Sequence, residues 1–242
     1  MQKDEVHTIK FAAIVCLVCS LSLAGVRTAL HPIQVRNREI DNQVNVLKAL
    51  FPDFDPEGNA LTLEERDRLF TQGRVPRAWI PIYFDQFVTV EPVTLPNGSE
   101  GRLYTLRRDG EAIAFAFPAA GKGLWSTVNS FVGLEADLAT IRGITFYDHG
   151  ETPGLGGECS KPWFQRNFRG QKLWKDGEPV TLEVVKGRAD PNSRTQVDGM
   201  SGATITGNGI QRFVNNVFRA YNEAVFNQLR SAHTSEGDSS HG

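Results

Sequence analysis

Near the C-terminus the chain reads Asp198-Gly199-Met200-Ser201-Gly202-Ala203-Thr204-Ile205-Thr206, which sets the hydroxyls of Ser201, Thr204 and Thr206 among small residues. The stretch lies between a strand-like run and a segment whose apolar residues recur with helical period. Backbone N–H groups at a helix start attract anions, and Gly202 and Ala203 let a phosphate come close. A hydroxyl there can hydrogen-bond the phosphate or be esterified by it, and Thr204 is the foremost candidate. The same residue types cap helices for backbone reasons alone, so a cap and a phosphate site both stay open on residue types.

Two further glycine-rich stretches carry aromatic or charged neighbours. One is Gly121-Lys122-Gly123-Leu124-Trp125. The other is His149-Gly150-Glu151-Thr152-Pro153-Gly154-Leu155-Gly156-Gly157. Both follow strand-like runs, where glycine lets backbone approach a ligand. Pro153-Gly154 predicts a tight turn with positive φ at the glycine. Trp125 and Leu155 can wall a flat ring, with Lys122, Lys161 or backbone donors at its polar edge. Apolar walls, a few polar groups and a phosphate seat are the inventory of a flavin site. The competing readings are ordinary turns for the loops, a core position for Trp125, and a turn role for His149. Glu151 either binds a ring N–H or solvates its loop. No nucleophile elbow, Walker loop, Rossmann fingerprint or zinc signature occurs. A protein that works through a bound redox group needs none of these.

The elements that must position these loops form an α+β pattern. Ile40, Val44, Leu47 and Phe51 predict an amphipathic helix stopped by Pro52, and Thr62-Leu63-Glu64-Glu65 opens a short helix through Phe70. Strands are predicted at Ala78–Phe84, Phe87–Val93, Arg102–Leu106, Ala112–Phe117, Phe131–Leu134, Thr140–Tyr147 and Val180–Val185. Asn97-Gly98 marks a turn, and Asp109-Gly110 is the strongest hairpin signal. A helix over Lys161–Phe168 interrupts the strands. Ile210, Phe213, Val214, Val217, Phe218, Tyr221, Val225 and Leu229 define a long helix with a broad apolar face. The tail from Ser231 is polar and reads as disordered.

The chain has 242 residues, of which 40% are hydrophobic, enough for a sizeable core. Its net charge of -2, with no Lys/Arg block, gives no basis for nucleic-acid binding. Phe11–Val26 is an uncharged run flanked by Lys10 and Arg27. As a helix it spans about 24 Å, and the flanking cations can snorkel to complete a membrane crossing. Ser22-Leu23-Ala24-Gly25 is a weak cleavage site, so an uncleaved lipid-embedded anchor is the preferred reading over a signal peptide. Charges on the two sides do not fix orientation, because long domains translocate regardless of them. The organisation expected is an anchor over 1–30, a helical connection over 31–76, a ligand-binding domain over 77–230 and a tail over 231–242. Cys16 and Cys19 lie in the anchor and Cys159 stands alone, which supports neither a disulfide nor a tetrahedral zinc site. Asp53 to Glu64 has calcium-loop spacing in part, but Leu61 and Ala60 break it, and a helix-to-helix turn is preferred.

Taken in order, these stretches resemble the C subunit of the Na⁺-translocating NADH:quinone oxidoreductase, and more distantly the G subunit of the Rnf electron-transport complex. The likeness includes Leu17-Val18-Cys19-Ser20, Gly123-Leu124-Trp125-Ser126 and Arg142-Gly143-Ile144-Thr145-Phe146. It continues through His149–Gly156 and Asp198–Thr204. The resemblance implies an FMN joined by a phosphoester to Thr204, placed there by a flavin transferase that uses FAD and reads Asp198, Ser201, Gly202 and Ala203. It implies that Glu151, Thr152, Gly154, Leu155 and Gly156 line the ring, with Leu124, Trp125, Thr206 and Lys161 as further contacts. It also implies a periplasmic domain on a bacterial inner membrane, working with the other subunits of a sodium-pumping complex. One departure is Gly207, where the family pattern leads to an expected serine. Two rival readings remain: a ferredoxin-linked Rnf-type subunit, and a membrane-anchored binding module without redox chemistry.

Overall fold

The computed structural model describes residues 3–51 and 79–231. The Pro52 stop, the Asp53–Glu64 loop, the helix from Thr62, Ala78 and the tail beyond Ser231 lie outside the described residues. Two compact units divide the chain, Met1–Asn42 and Gln43–Gly242.

The first unit is helical. Helix α1 runs unbroken from Lys3 to Leu50 with Pro32 inside it. Its N-terminal part contains a strongly apolar window, none of it buried against protein. That helix is long and apolar enough to cross a membrane. The anchor and the amphipathic segment, read separately in the sequence, are thus one helix.

In the second unit a five-stranded antiparallel sheet has the order β1 to β5, each strand pairing the next in sequence. The strands are β1 (Val88–Thr94), β2 (Glu100–Arg108), β3 (Glu111–Lys122), β4 (Thr127–Glu135) and β5 (Ile141–Asp148). Asp109 at φ 53° and Gly110 at φ 89° make the predicted hairpin turn, both in the left-handed region that Asp and Gly tolerate. The predicted strand over Ala78–Phe84 is corrected: helix α2 covers Ile80–Phe87. Ile80 and Phe84, one helical turn apart, are buried, whereas the alternating Ile82 is exposed. Pro81 is at home in a first helical turn. Period 3.6 therefore prevails over period 2 there.

Side-chain alternation gives the sheet two covered faces. On one, Val132, Leu134, Ile144 and Phe146 join the main core with helix α4 (Thr204–Tyr221). Gly121 permits that closeness, since a Cβ there would lie 2.3 Å from the Phe213 Cβ. On the other face Gly133 meets the end of α1, where a Cβ would lie 2.2 Å from the Ala49 carbonyl oxygen. Val44, Val46, Leu47, Ala49 and Leu50 are buried there. The Arg142 Nε donates to the Leu50 carbonyl at 2.5 Å, and its Nη1 pairs with Glu135 at 2.6 Å. An otherwise orphaned carbonyl at the helix end is thereby satisfied.

Beyond β5 the chain makes a 3₁₀ turn (Gly156–Ser160), a short helix α3 (Pro162–Arg166), a hairpin of β6 (Trp174–Lys175) with β7 (Glu178–Pro179), and a parallel pair of β8 (Glu183–Val184) with β9 (Gln196–Val197). The strand predicted over Val180–Val185 shrinks to β8, because side-chain amides from α4 replace a strand partner. Asn215 accepts from the Leu182 N–H at 2.9 Å and donates to its carbonyl at 2.8 Å, and Gln211 accepts from the Val184 N–H at 2.9 Å. The long C-terminal helix begins at Thr204 and passes into a π-helical turn at Asn222–Phe226.

Candidate functional site

Three chain segments meet where β3 ends, β5 ends and α4 begins. The turn between β3 and β4 is closed by the Gly123 N–H donating to the Ser126 carbonyl at 2.8 Å. It presents the N–H groups of Leu124, Trp125 and Ser126, and all three donate to the Glu151 carboxylate, at 3.2, 2.8 and 3.1 Å. The Thr206 hydroxyl, in the first turn of α4, donates to the same carboxylate at 2.5 Å. Glu151 is buried. Burial opposes its ionisation, but the Thr206 hydroxyl and the three N–H donors outweigh burial and hold its pKa below the ordinary glutamate range. The Glu151 side chain is therefore an internal ion. It does not solvate its loop.

The glycines around it serve this packing. A Cβ on Gly123 would lie 2.7 Å from Glu151 Oε1. One on Gly156 would lie 2.6 Å from Thr206 Oγ1, and one on Gly209 would lie 2.3 Å from the Lys122 carbonyl. Gly154 has the expected positive φ of 75°. A second contact ties the loops: the Gly150 N–H donates to Ser126 Oγ at 2.6 Å. Ser126, Gly123 and His149, whose Nδ1 accepts from the Glu151 N–H at 3.3 Å, thus join the site. All three lie in stretches the sequence singles out, but only the fold shows these bonds.

Helix α4 opens at Thr204 with Ala203 at its cap position and no side-chain cap. The first backbone hydrogen bond at this end runs from the Gly207 N–H to the Ala203 carbonyl at 3.0 Å. The cap reading of this stretch is thus not realised by Ser201 or Thr204. Thr204 and Ser201 are exposed, and among the described residues their hydroxyls make no hydrogen bond. Thr206 is buried and engaged with Glu151. Gly207 packs on Val184, whose Cγ1 would lie 3.2 Å from an added Cβ, so the missing serine leaves room for β8.

Around this helix start stands an apolar rim. Trp125 is 71% exposed, which removes it from the core, and Ile205, Leu155 and Leu124 are exposed as well. Leu155 lies over Gly202, where a Cβ would meet its Cδ2 at 2.8 Å. Thr152, Pro153 and Gly154 are exposed beside it. The Asp198 Oδ1 accepts from the Ala189 N–H at 2.7 Å, which ties the loop before the Ser201 stretch. Lys161 is exposed at the N-cap of α3, with no side-chain hydrogen bond among the described residues. An uncapped helix start with an exposed hydroxyl suits a phosphate, and exposed apolar side chains beside it suit a flat ring. Among the described residues no group of three His, Cys, Asp or Glu side chains could hold a metal ion.

Comparison with known proteins bears on what this arrangement serves. Residues 123–219 match the model of the FMN-binding domain, a span that opens on the Gly123 turn and closes in α4. The C subunit of the Na⁺-translocating NADH-quinone reductase of Yersinia pestis is 34% identical, over 86% of this chain and 86% of its own. The chain belongs to this family of C subunits. The corresponding protein of Pseudomonas aeruginosa is 31% identical, over 88% of this chain and 91% of its own. NqrC from Shewanella oneidensis superposes with a TM-score of 0.65 at 24% identity, covering 81% of this chain and 99% of that one, which supports the fold. The C subunit from Parabacteroides distasonis gives 0.62 at 25% identity, over 79% and 94%. The antiparallel sheet with flanking helices is therefore the FMN-binding fold of these C subunits, and the three loops gathered at Glu151 lie within or beside its matched span.

Proposed function

We propose that this chain is a membrane-anchored electron carrier that holds FMN through a phosphoester on Thr204, within a complex that oxidises NADH, reduces quinone and moves sodium ions. The observation that carries the reading is the contrast between two hydroxyls in one helical turn. Thr206 is buried and bonded, whereas Thr204 is exposed and unbonded among the described residues. FMN, when bound, supplies one-electron chemistry.

The chain's own residues do the holding. The N–H groups of the first turn of α4, with Ala203 and Gly202 beside them, receive the phosphate. Leu124, Trp125 and Leu155 wall the ring, with Thr152, Gly154 and Gly156 in the loop beneath and Lys161 as a cationic partner. Ser201 supplies a second hydroxyl. A flavin transferase makes the bond from FAD: the Thr204 oxygen joins the FMN phosphorus, the pyrophosphate link breaks, AMP leaves and the hydroxyl proton is released. Asp198 braces the stretch this enzyme reads. Such a tether suits a periplasmic domain, which has no free FMN pool to draw on. Helix α1 fixes the domain to the inner membrane. Among the described residues a single helix is long and apolar enough to cross a membrane, and one helix cannot form an ion pathway, so translocation is assigned to polytopic partner subunits, which also deliver and accept the electrons.

In-gel fluorescence tests the reading. Co-expressed with a flavin transferase, the wild-type chain gives a flavin-fluorescent band after denaturing electrophoresis, and Thr204→Ala gives none. A dark wild-type band would contradict it.

A further inference from the structure

We propose that Glu151 is a positioning residue: its carboxylate ties the Gly123–Ser126 turn to the first turn of α4 and so fixes Trp125 relative to Thr204. The inference rests on Thr204 as the flavin attachment point. The N–H groups of the consecutive residues Leu124, Trp125 and Ser126 converge on one carboxylate, as they do in anion-binding nests. Here the anion is the protein's own. Oε1 takes the Trp125 and Ser126 N–H groups, and Oε2 takes the Leu124 N–H and the Thr206 hydroxyl. A carboxylate has about four lone-pair sites, so this one has none left for a ring N–H.

All four partners donate. A proton on the carboxyl could be given only to the Thr206 hydroxyl, which would turn round to accept it, while the Leu124, Trp125 and Ser126 N–H groups can only donate, so the arrangement favours the anion. Glutamine keeps an acceptor for the Trp125 and Ser126 N–H groups, but its NH₂ in the Oε2 place would face the Leu124 N–H and turn the Thr206 hydroxyl from donor to acceptor. The clamp also redirects Thr206, whose proton points at Glu151 and not at a phosphate. Gly123 and Gly156 leave the space that the carboxylate and the Thr206 hydroxyl occupy. The bond joins two segments 55 residues apart in the chain, one in contact with the ring wall and one bearing the attachment point. Positioning of this kind acts through distance and orientation.

The test uses the full chain co-expressed with a flavin transferase, as wild type, Glu151→Gln, Thr206→Val and Thr206→Ser. Intact mass reads attachment. Visible circular dichroism and fluorescence anisotropy of the attached flavin read how firmly the ring is held. Glu151→Gln and Thr206→Val are expected to lose most of the visible dichroism and anisotropy, while Thr206→Ser, which restores the hydroxyl, keeps both. Loss of the mass gain in a folded Thr206→Val chain supports the clamp equally, since Thr204 is then misplaced. If Glu151→Gln does not accumulate, the Thr206→Val and Thr206→Ser pair decides. Wild-type dichroism and anisotropy in a flavinylated Thr206→Val chain overturns the clamp alone. A wild-type chain that takes up no flavin overturns both the clamp and the reading it rests on.

Discussion

Gly156 lies against Thr206 so closely that a Cβ on it would sit 2.6 Å from the threonine hydroxyl oxygen and 2.7 Å from Glu151 Oε2. Neither neighbour is a free side-chain end, because each is fixed by the bond to the other. Gly156→Ala therefore overpacks a buried ionic contact. Such changes cost about 1–3 kcal/mol. A urea titration of the chain checks the loss, read as a lower midpoint with an unchanged slope.

Tyr221 closes a gap in the sheet. The β2–β3 ladder begins at Tyr104 opposite Ala116, and two residues further on Arg102 would face Pro118, which has no N–H to give. The buried Tyr221 hydroxyl instead accepts from the Arg102 N–H at 3.0 Å and donates to its carbonyl at 3.1 Å. Gly101 leaves the space, since a Cβ there would lie 2.4 Å from that oxygen. Tyr221→Phe strands both backbone groups and is expected to destabilise the fold by roughly 1–3 kcal/mol. Thermal unfolding of the two proteins measures it.

Glu151 also predicts a pH dependence. Its folded-state pKa is depressed by the Thr206 hydroxyl and backbone donors in spite of burial. The stability this gives is fully present above the ordinary glutamate range. It is lost as pH falls from there through the lower folded-state value, because the unfolded state binds the proton first. Stability measured by denaturant from neutral to acid pH should fall over that window in wild type. Glu151→Gln, with no proton to take up, should show a shallower fall.

Cys159 is buried, and that burial, with the Glu151 charge nearby, pushes its thiol pKa up to about 12. A thiol with so little thiolate reacts slowly. In a variant with Cys16 and Cys19 replaced by serine, iodoacetamide should leave the folded chain unlabelled and modify Cys159 only in denaturant. Labelling of the folded chain would show that the site opens.

Much of this was legible in the sequence where local chemistry decides the outcome. Asp109-Gly110 forms its hairpin because few residues accept two successive positive φ values. Gly154 turns as Pro153-Gly154 predicts. Long-range contacts decided the rest. The alternating Ile80, Ile82 and Phe84 pattern suggested a strand, but the helix buries Ile80 and Phe84 together. The segment from Val180 forms little strand because Asn215 and Gln211 bind its backbone from across the fold. The glycines near Gly123 and Gly156 suggested approach to a ligand. They also make room for Glu151, a partner that spacing alone does not reveal.

Three hydroxyls near the start of α4 compete to carry the flavin. Ser201 and Thr204 are both exposed and lie three residues apart, and Thr206 is held by Glu151. Tandem mass spectrometry of the proteolytic peptide containing all three, from chain co-expressed with a flavin transferase, separates them. The mass of FMN less water is expected on Thr204 alone. The adduct on Ser201 or Thr206, or an unmodified peptide, would contradict it.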